Sequence, residues 1–113
     1  MIIEQRTYDL HPGCVAEFKK LIENEGIHIQ RPILGRLVGY YASEIGPLNQ
    51  IVHLWAYESL EDRTRRREQL FADPRWLAFA AKTRPLLMKM ENKILVPMSF
   101  SPFPDLWPST GST

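Results

Sequence analysis

Hydrophobic and polar positions switch period several times along the chain, and each switch marks an element. Residues 1–10, MIIEQRTYDL, alternate and are rich in Ile, Thr and Tyr, which predicts a first strand with Glu4, Arg6 and Tyr8 on one face. HPG breaks it. Residues 14–25 change to helical spacing, with Val15, Phe18, Leu21 and Ile22 on one face and Glu17, Lys20 and Asn24 on the other, and Gly26 reads as the stop. Pro32 pushes the residue before it toward an extended form, so residues 27–36 are read as a connection. LVGYYASE, residues 37–44, is a second strand with Tyr40 and Tyr41 on opposite faces. A short turn through Gly46-Pro47 favours an antiparallel return as a third strand, NQIVHLWAY.

Ser59 reads as an N-cap with Asp62 three residues on, opening a helix to about Ala72. Asp73-Pro74 starts another, whose stripe is Trp76, Phe79, Ala80 and Thr83, and Arg84-Pro85 ends it. LLMKMENKILVPMSF is a fourth strand with an irregularity expected near Glu91-Asn92-Lys93. The order β-α-β-β-α-β is that of a ferredoxin-like α+β fold with an antiparallel sheet. Helices cover one face of such a sheet, and the strands here carry apolar groups on both. A homodimer is therefore expected, two sheets pairing into a dimeric α/β barrel.

Length and composition narrow this little further. One domain over residues 1–100 accounts for the 113 residues, followed by a Pro/Ser-rich tail, 101–113, expected to be partly disordered or docked on the partner subunit through Phe103, Leu106 and Trp107. A formal charge of +1 gives no broad basic field for nucleic acid or a membrane surface, and no apolar run approaches the ~20 residues of a spanning helix. A single cysteine, Cys14, and no signal-peptide pattern make the cytoplasm the expected compartment. His11, His28 and His53 lack metal-ligand spacing, and no phosphate-cradling Gly loop is present, so neither a metal nor a cofactor is expected.

The candidate chemistry sits on the third strand and the helix after it. In IVHLWAY, residues 51–57, Val52, Leu54 and Ala56 face one way, and Ile51, His53, Trp55 and Tyr57 the other. In SLEDRTRRREQLFAD, Leu60, Arg63, Thr64, Arg67, Leu70 and Phe71 share one helix face; Glu61, Asp62, Arg65, Arg66, Glu68 and Gln69 share the other. The inward arginines either cover the core edge with their stems and reach water, or border a polar cavity between helix and sheet. In the second case His53 is the candidate acid or base, and Arg63 and Arg67 orient an anionic or carbonyl group. Glu4, Arg6, Tyr8, Tyr40, Tyr41, Trp55 and Tyr57 then supply walls and donors for a small-molecule ligand.

Three motifs together resemble the NIPSNAP family: E-x-R-x-Y at residues 4–8, E-x-G-x-x-N-Q at 44–50 and H-L-W-x-Y at 53–57. The resemblance extends through DPRWLAFAAKTRPLL and ENKILVPMSF to about residue 100. It implies a dimeric α+β barrel of ferredoxin-like subunits, and its recurring positions fall on Glu4, Arg6, Tyr8, Gly46, Asn49, His53, Trp55, Tyr57 and Arg63. It implies no settled activity. The mitochondrial and membrane-traffic roles of eukaryotic members attach partly to sequence outside this domain and are not carried over to this chain. By analogy of fold alone, a monooxygenase- or isomerase-like small-molecule enzyme is one expectation, and a non-catalytic dimeric module that binds a ligand or protein is the alternative.

Overall fold

The computed structural model describes residues 1–102. Four antiparallel strands, β1 (Ile2–Leu10), β2 (Arg36–Ala42), β3 (Gln50–Tyr57) and β4 (Leu87–Leu95), stand in the order β2-β3-β1-β4. With the helical segments between β1 and β2 and between β3 and β4, this is the ferredoxin-like arrangement. Register places Glu4 opposite Trp55, Arg6 opposite His53 and Tyr8 opposite Ile51. The period-two alternation of β3 is realised: Ile51, His53, Trp55 and Tyr57 are all buried beneath the helices, and Val52 and Leu54 lie on the other face.

The first helical region differs from the sequence expectation. It does not stop at Gly26, and residues 27–36 are no connection. Helix α1 (Val15–Leu21) passes through a π-helical turn, Ile22–Gly26, into α2 (Ile27–Leu34). Gly26 is there for room: a Cβ on it would lie 2.5 Å from the ring of Phe79. Pro32 lies inside α2. An interior proline costs about 3 kcal/mol, but α2 seats Gln30 and Leu34 in the core and packs Leu34 against Trp55, Tyr57 and Leu70. Burial of one such side chain gives about 1.5–3 kcal/mol, so tertiary packing wins. The stop comes at Gly35, whose φ of 94° suits only glycine readily and whose N–H bonds the Arg31 carbonyl at 2.9 Å.

Helix α3 (Leu60–Phe71) begins as the sequence indicates. Ser59 Oγ accepts from the Asp62 N–H at 3.0 Å, and the Asp62 carboxylate accepts from the Glu58 N–H at 3.1 Å. Its buried stripe is not the expected one. Leu70 is buried as expected, but Leu60 and Phe71 are about half exposed and Asp62, assigned to the outer face, is buried. Asp62 turns inward because Arg65 and Arg66 both donate to it, and Arg66 also reaches the Ile33 carbonyl at 3.1 Å. Helix α4 (Pro74–Thr83) buries Phe79 and Thr83, and Arg84–Leu86 closes it as a 3-10 turn. β4 is regular at Glu91-Asn92-Lys93; its irregularity comes earlier, at Met88, which is skipped where Asp9 pairs with Lys89 and Leu10 with Leu87, and a second falls at Leu37/Gly39 on β2. The core divides into two clusters, one around Phe18, Leu10, Ile51 and Leu86, the other around Trp55, Tyr57, Leu34 and Leu70.

Candidate functional site

Glu4 lies on the helix side of β1 with no exposed surface. A carboxylate buried this completely needs partners on every lone pair, and it has them. Arg63 Nε donates to Oε1 at 3.0 Å; Arg63 Nη2 (2.8 Å), Arg6 Nη1 (2.9 Å) and Asn92 Nδ2 (2.7 Å) donate to Oε2. Burial alone would push the Glu4 carboxyl up. The hydrogen bonds from Arg63 and Asn92 and the charges of Arg6 and Arg63 outweigh it and hold the group at about 2. Glu4 therefore ties β1 to α3 and β4 as an ionised hub. Asn92, expected only to mark an irregular strand, comes in because β4 places it opposite Arg6.

His53 packs one step along the sheet, with no exposed surface. Trp55 Nε1 donates to its Nδ1 at 2.7 Å, which leaves the ring proton on Nε2. Nε2 is buried with no hydrogen-bond partner among the described residues. The Tyr40 ring stacks on the imidazole at 4.3 Å and 16°, and the Tyr8 ring meets it edge-on at 4.9 Å. Burial, then the charge of Arg6, lower the His53 pKa to about 3. The ring is neutral at ordinary pH and a weak base. Burial likewise raises Tyr40, and raises Tyr57 to about 12 with the Glu4 charge beside it.

Beside this hub, between α2, α3, α4 and the sheet, opens a cavity of about 210 Å³. Trp55, Tyr8, Trp76 and Phe71 give it aromatic walls, and Arg6, Arg67 and Arg84 line it with guanidinium groups. Arg6 is committed: it bonds Glu4 and donates through Nε to the Tyr8 hydroxyl at 2.9 Å. Arg67 makes no ion pair or hydrogen bond among the described residues; its guanidinium lies 5.2 Å from the centre of the Phe71 ring. Burial and the neighbouring Arg6 push its pKa down. Gln30 Oε1 and Trp76 Nε1, both on residues that line the cavity, are buried without partners among the described residues.

The structure thus brings Glu4, Arg6, Tyr8, His53, Trp55, Tyr57, Arg63 and Arg67 to one side of the sheet, but in two settings. Glu4 and His53 are fully buried, and Arg63 covers Glu4 from the half-buried edge of α3. Arg6, Tyr8, Trp55 and Arg67 reach the cavity. Tyr40 borders a second, shallower cavity of about 340 Å³ near α1. Tyr41 also reaches the rim of that second cavity, but it pairs opposite Val52, folds over Gly39 and is 57% exposed. Sequence reasoning missed Gln30, hidden in the supposed connection, and saw Trp76 only as core.

The NIPSNAP family model matches residues 3–102. This chain belongs to the NIPSNAP family. A NipSnap homologue of Dictyostelium discoideum is 40% identical over 95 residues, covering 84% of this chain and 42% of that protein. The human NipSnap homologue 2 is 34% identical over 106 residues, covering 89% of this chain and 35% of that protein. The chain spans less than half the length of these relatives. Among solved structures, an uncharacterised NIPSNAP-like domain protein from Burkholderia xenovorans is 60% identical with a TM-score of 0.88, covering 89% of this chain and 88% of that one. A NIPSNAP family protein of unknown function from Agrobacterium tumefaciens is 55% identical with a TM-score of 0.88, covering 90% and 92%. A putative antibiotic biosynthesis monooxygenase from Nitrosomonas europaea, 15% identical with a TM-score of 0.63 over 87% of this chain and 99% of that one, shares the fold. No activity comes with membership of the NIPSNAP family, so function has to be argued from the site.

Proposed function

We propose that this NIPSNAP domain binds a small molecule in the cavity between its helices and sheet, and does so as a homodimer. The observation that carries the reading is Arg67, a guanidinium without an ion pair or hydrogen bond among the described residues, on the lining of a cavity whose other walls are largely aromatic and apolar. A charge taken partly out of water is costly unless it is paired. A ligand that meets it removes that cost. His53 belongs to the scaffold in this reading: it is fully buried and not among the residues that line this cavity, and a ring with a pKa near 3 transfers protons poorly at neutral pH. A reducing, cytoplasmic setting stays part of the proposal, on the free Cys14.

The homodimer rests on the sheet's other face. A groove there is lined by Ile3, Val38, Leu54, Leu95 and Val96, and Val96 is 74% exposed. An apolar stripe of this kind marks a contact surface.

One observation favours turnover as well as binding. Tyr8 accepts from Arg6, a group that can only donate, so its own hydroxyl proton is left to donate. Pointed at a ligand carbonyl with a guanidinium behind it, that hydroxyl would polarise the bond, in the manner an isomerase- or monooxygenase-like enzyme requires. Tyr8→Phe should then lower turnover more than it weakens binding.

The binding test is a thermal-shift screen of small metabolites on the full chain. At least one should raise Tm, and Ala80→Trp, which fills the cavity from α4, should abolish the effect. Binding that survives Ala80→Trp unchanged would place the ligand elsewhere and overturn the reading.

A further inference from the structure

We propose that the ligand of this cavity is a small planar carboxylate, held through its negative charge by Arg67; the inference rests on the reading of the cavity as a binding site and adds the class of molecule. The argument begins with charge. Three guanidinium groups line the cavity, those of Arg6, Arg67 and Arg84, and no acidic residue does among those described. The carboxylate nearest in chemistry, Glu4, is already saturated by Arg6, Arg63 and Asn92. Arg67 is left with positive charge, five N–H donors and no acceptor, over a ring that meets only one face of its plane. A partly buried guanidinium in that state is matched by an incoming anion, and its fork geometry fits a carboxylate through two parallel bonds.

Shape supplies the rest. The remaining walls include four aromatic residues, Trp55, Trp76, Phe71 and Tyr8, with Leu34, Ala80, Leu87 and Met90 as the aliphatic part. They suit a planar, unsaturated body better than a hydrated inorganic anion. Sites for drug-sized molecules run to about 300–1,000 Å³, so a cavity of about 210 Å³ fits a molecule of single-ring size and is too small for a nucleotide, a flavin or a haem. The hydroxyl proton of Tyr8 gives a further donor for the carboxylate or for an oxygen on the ring.

Benzoate, benzamide, cyclohexanecarboxylate and inorganic phosphate separate charge from shape. Titrating each into the full chain by calorimetry, with indole N–H resonances of Trp55 and Trp76 followed by NMR, should show benzoate binding and moving both signals. Benzamide, the same shape without charge, should bind at least about tenfold more weakly, the loss of one charge-assisted hydrogen bond being worth about that factor; cyclohexanecarboxylate, the same charge without planarity, should bind about twofold to tenfold more weakly through lost contact between aromatic rings. Arg67→Gln should cost benzoate about tenfold or more and leave benzamide unchanged. Its Tm should hold, since Arg67 ties no part of the fold together by an ion pair. Arg75→Gln, on the surface and paired with Asp73, should change nothing. Benzamide binding as well as benzoate would overturn the anionic class and leave the cavity a ligand site. Phosphate equalling benzoate would overturn the planar class. Failure of all four probes, with a ligand from the thermal-shift screen still displaced by Ala80→Trp, would overturn the inference alone; failure of both experiments would overturn the cavity reading beneath it.

Discussion

At the scale of single residues, the informative groups are those whose protonation the fold dictates. His53 stays neutral down to about pH 3, whereas in the unfolded chain it titrates near its ordinary 6.5. Between those values the unfolded state holds the extra proton, so stability falls as pH falls through that window. Each pH unit there is worth about 1.4 kcal/mol, which predicts a loss of about 2 kcal/mol between pH 7 and pH 5. Glu4, with its depressed value, adds a loss in the same direction only lower, from about 4.5 toward 2. His53→Gln, which keeps an acceptor for Trp55 Nε1, should flatten the slope of denaturation free energy between pH 5 and 6.5; an unchanged slope would assign it to another group. Both residues stood out in the sequence as polar groups among strand aromatics. That they form a sealed hub, with Arg67 alone of the inward arginines left over, could not be read there, because the sharing of Glu4 depends on the registers of β1, β3 and β4.

Elements were legible where period and punctuation agreed. β1, β3, the Ser59 cap of α3 and the Pro74 start of α4 all follow from local sequence. The region after Gly26 was not, because glycine and proline read locally as punctuation, whereas here both serve packing. Gly26 gives Phe79 its space and Pro32 is carried by the burial of Gln30 and Leu34. Gly26→Ala supplies the test. Helix propensity favours alanine by about 1 kcal/mol, yet the added methyl meets the Phe79 ring at 2.5 Å. Net destabilisation of about 1–3 kcal/mol is expected by urea denaturation, largely relieved when Phe79→Leu is combined with it. The stripe of α3 was misread for a related reason: Asp62 turns inward on the strength of hydrogen bonds from Arg65, Arg66 and Glu58, which no hydropathy pattern contains.

At the scale of the whole molecule, strand order and the one-sided cover of helices were predictable from the β-α-β-β-α-β succession, and the uncovered face is the one the proposed homodimer would bury. Leu54→Glu, at the centre of that face, should convert a dimer to a monomer in sedimentation experiments; a wild-type monomer would remove the need for a partner. The expected docking of Phe103, Leu106 and Trp107 lies outside the described residues. The cavity opens on the helical side of the sheet, and the apolar groove on the reverse. Joined through their bare faces, two subunits would therefore hold their ligands back to back on opposite outer flanks, with a double layer of strands between. Saturation should follow a simple hyperbola with two equivalent molecules per pair, and a subunit forced to stand alone should still take up its own.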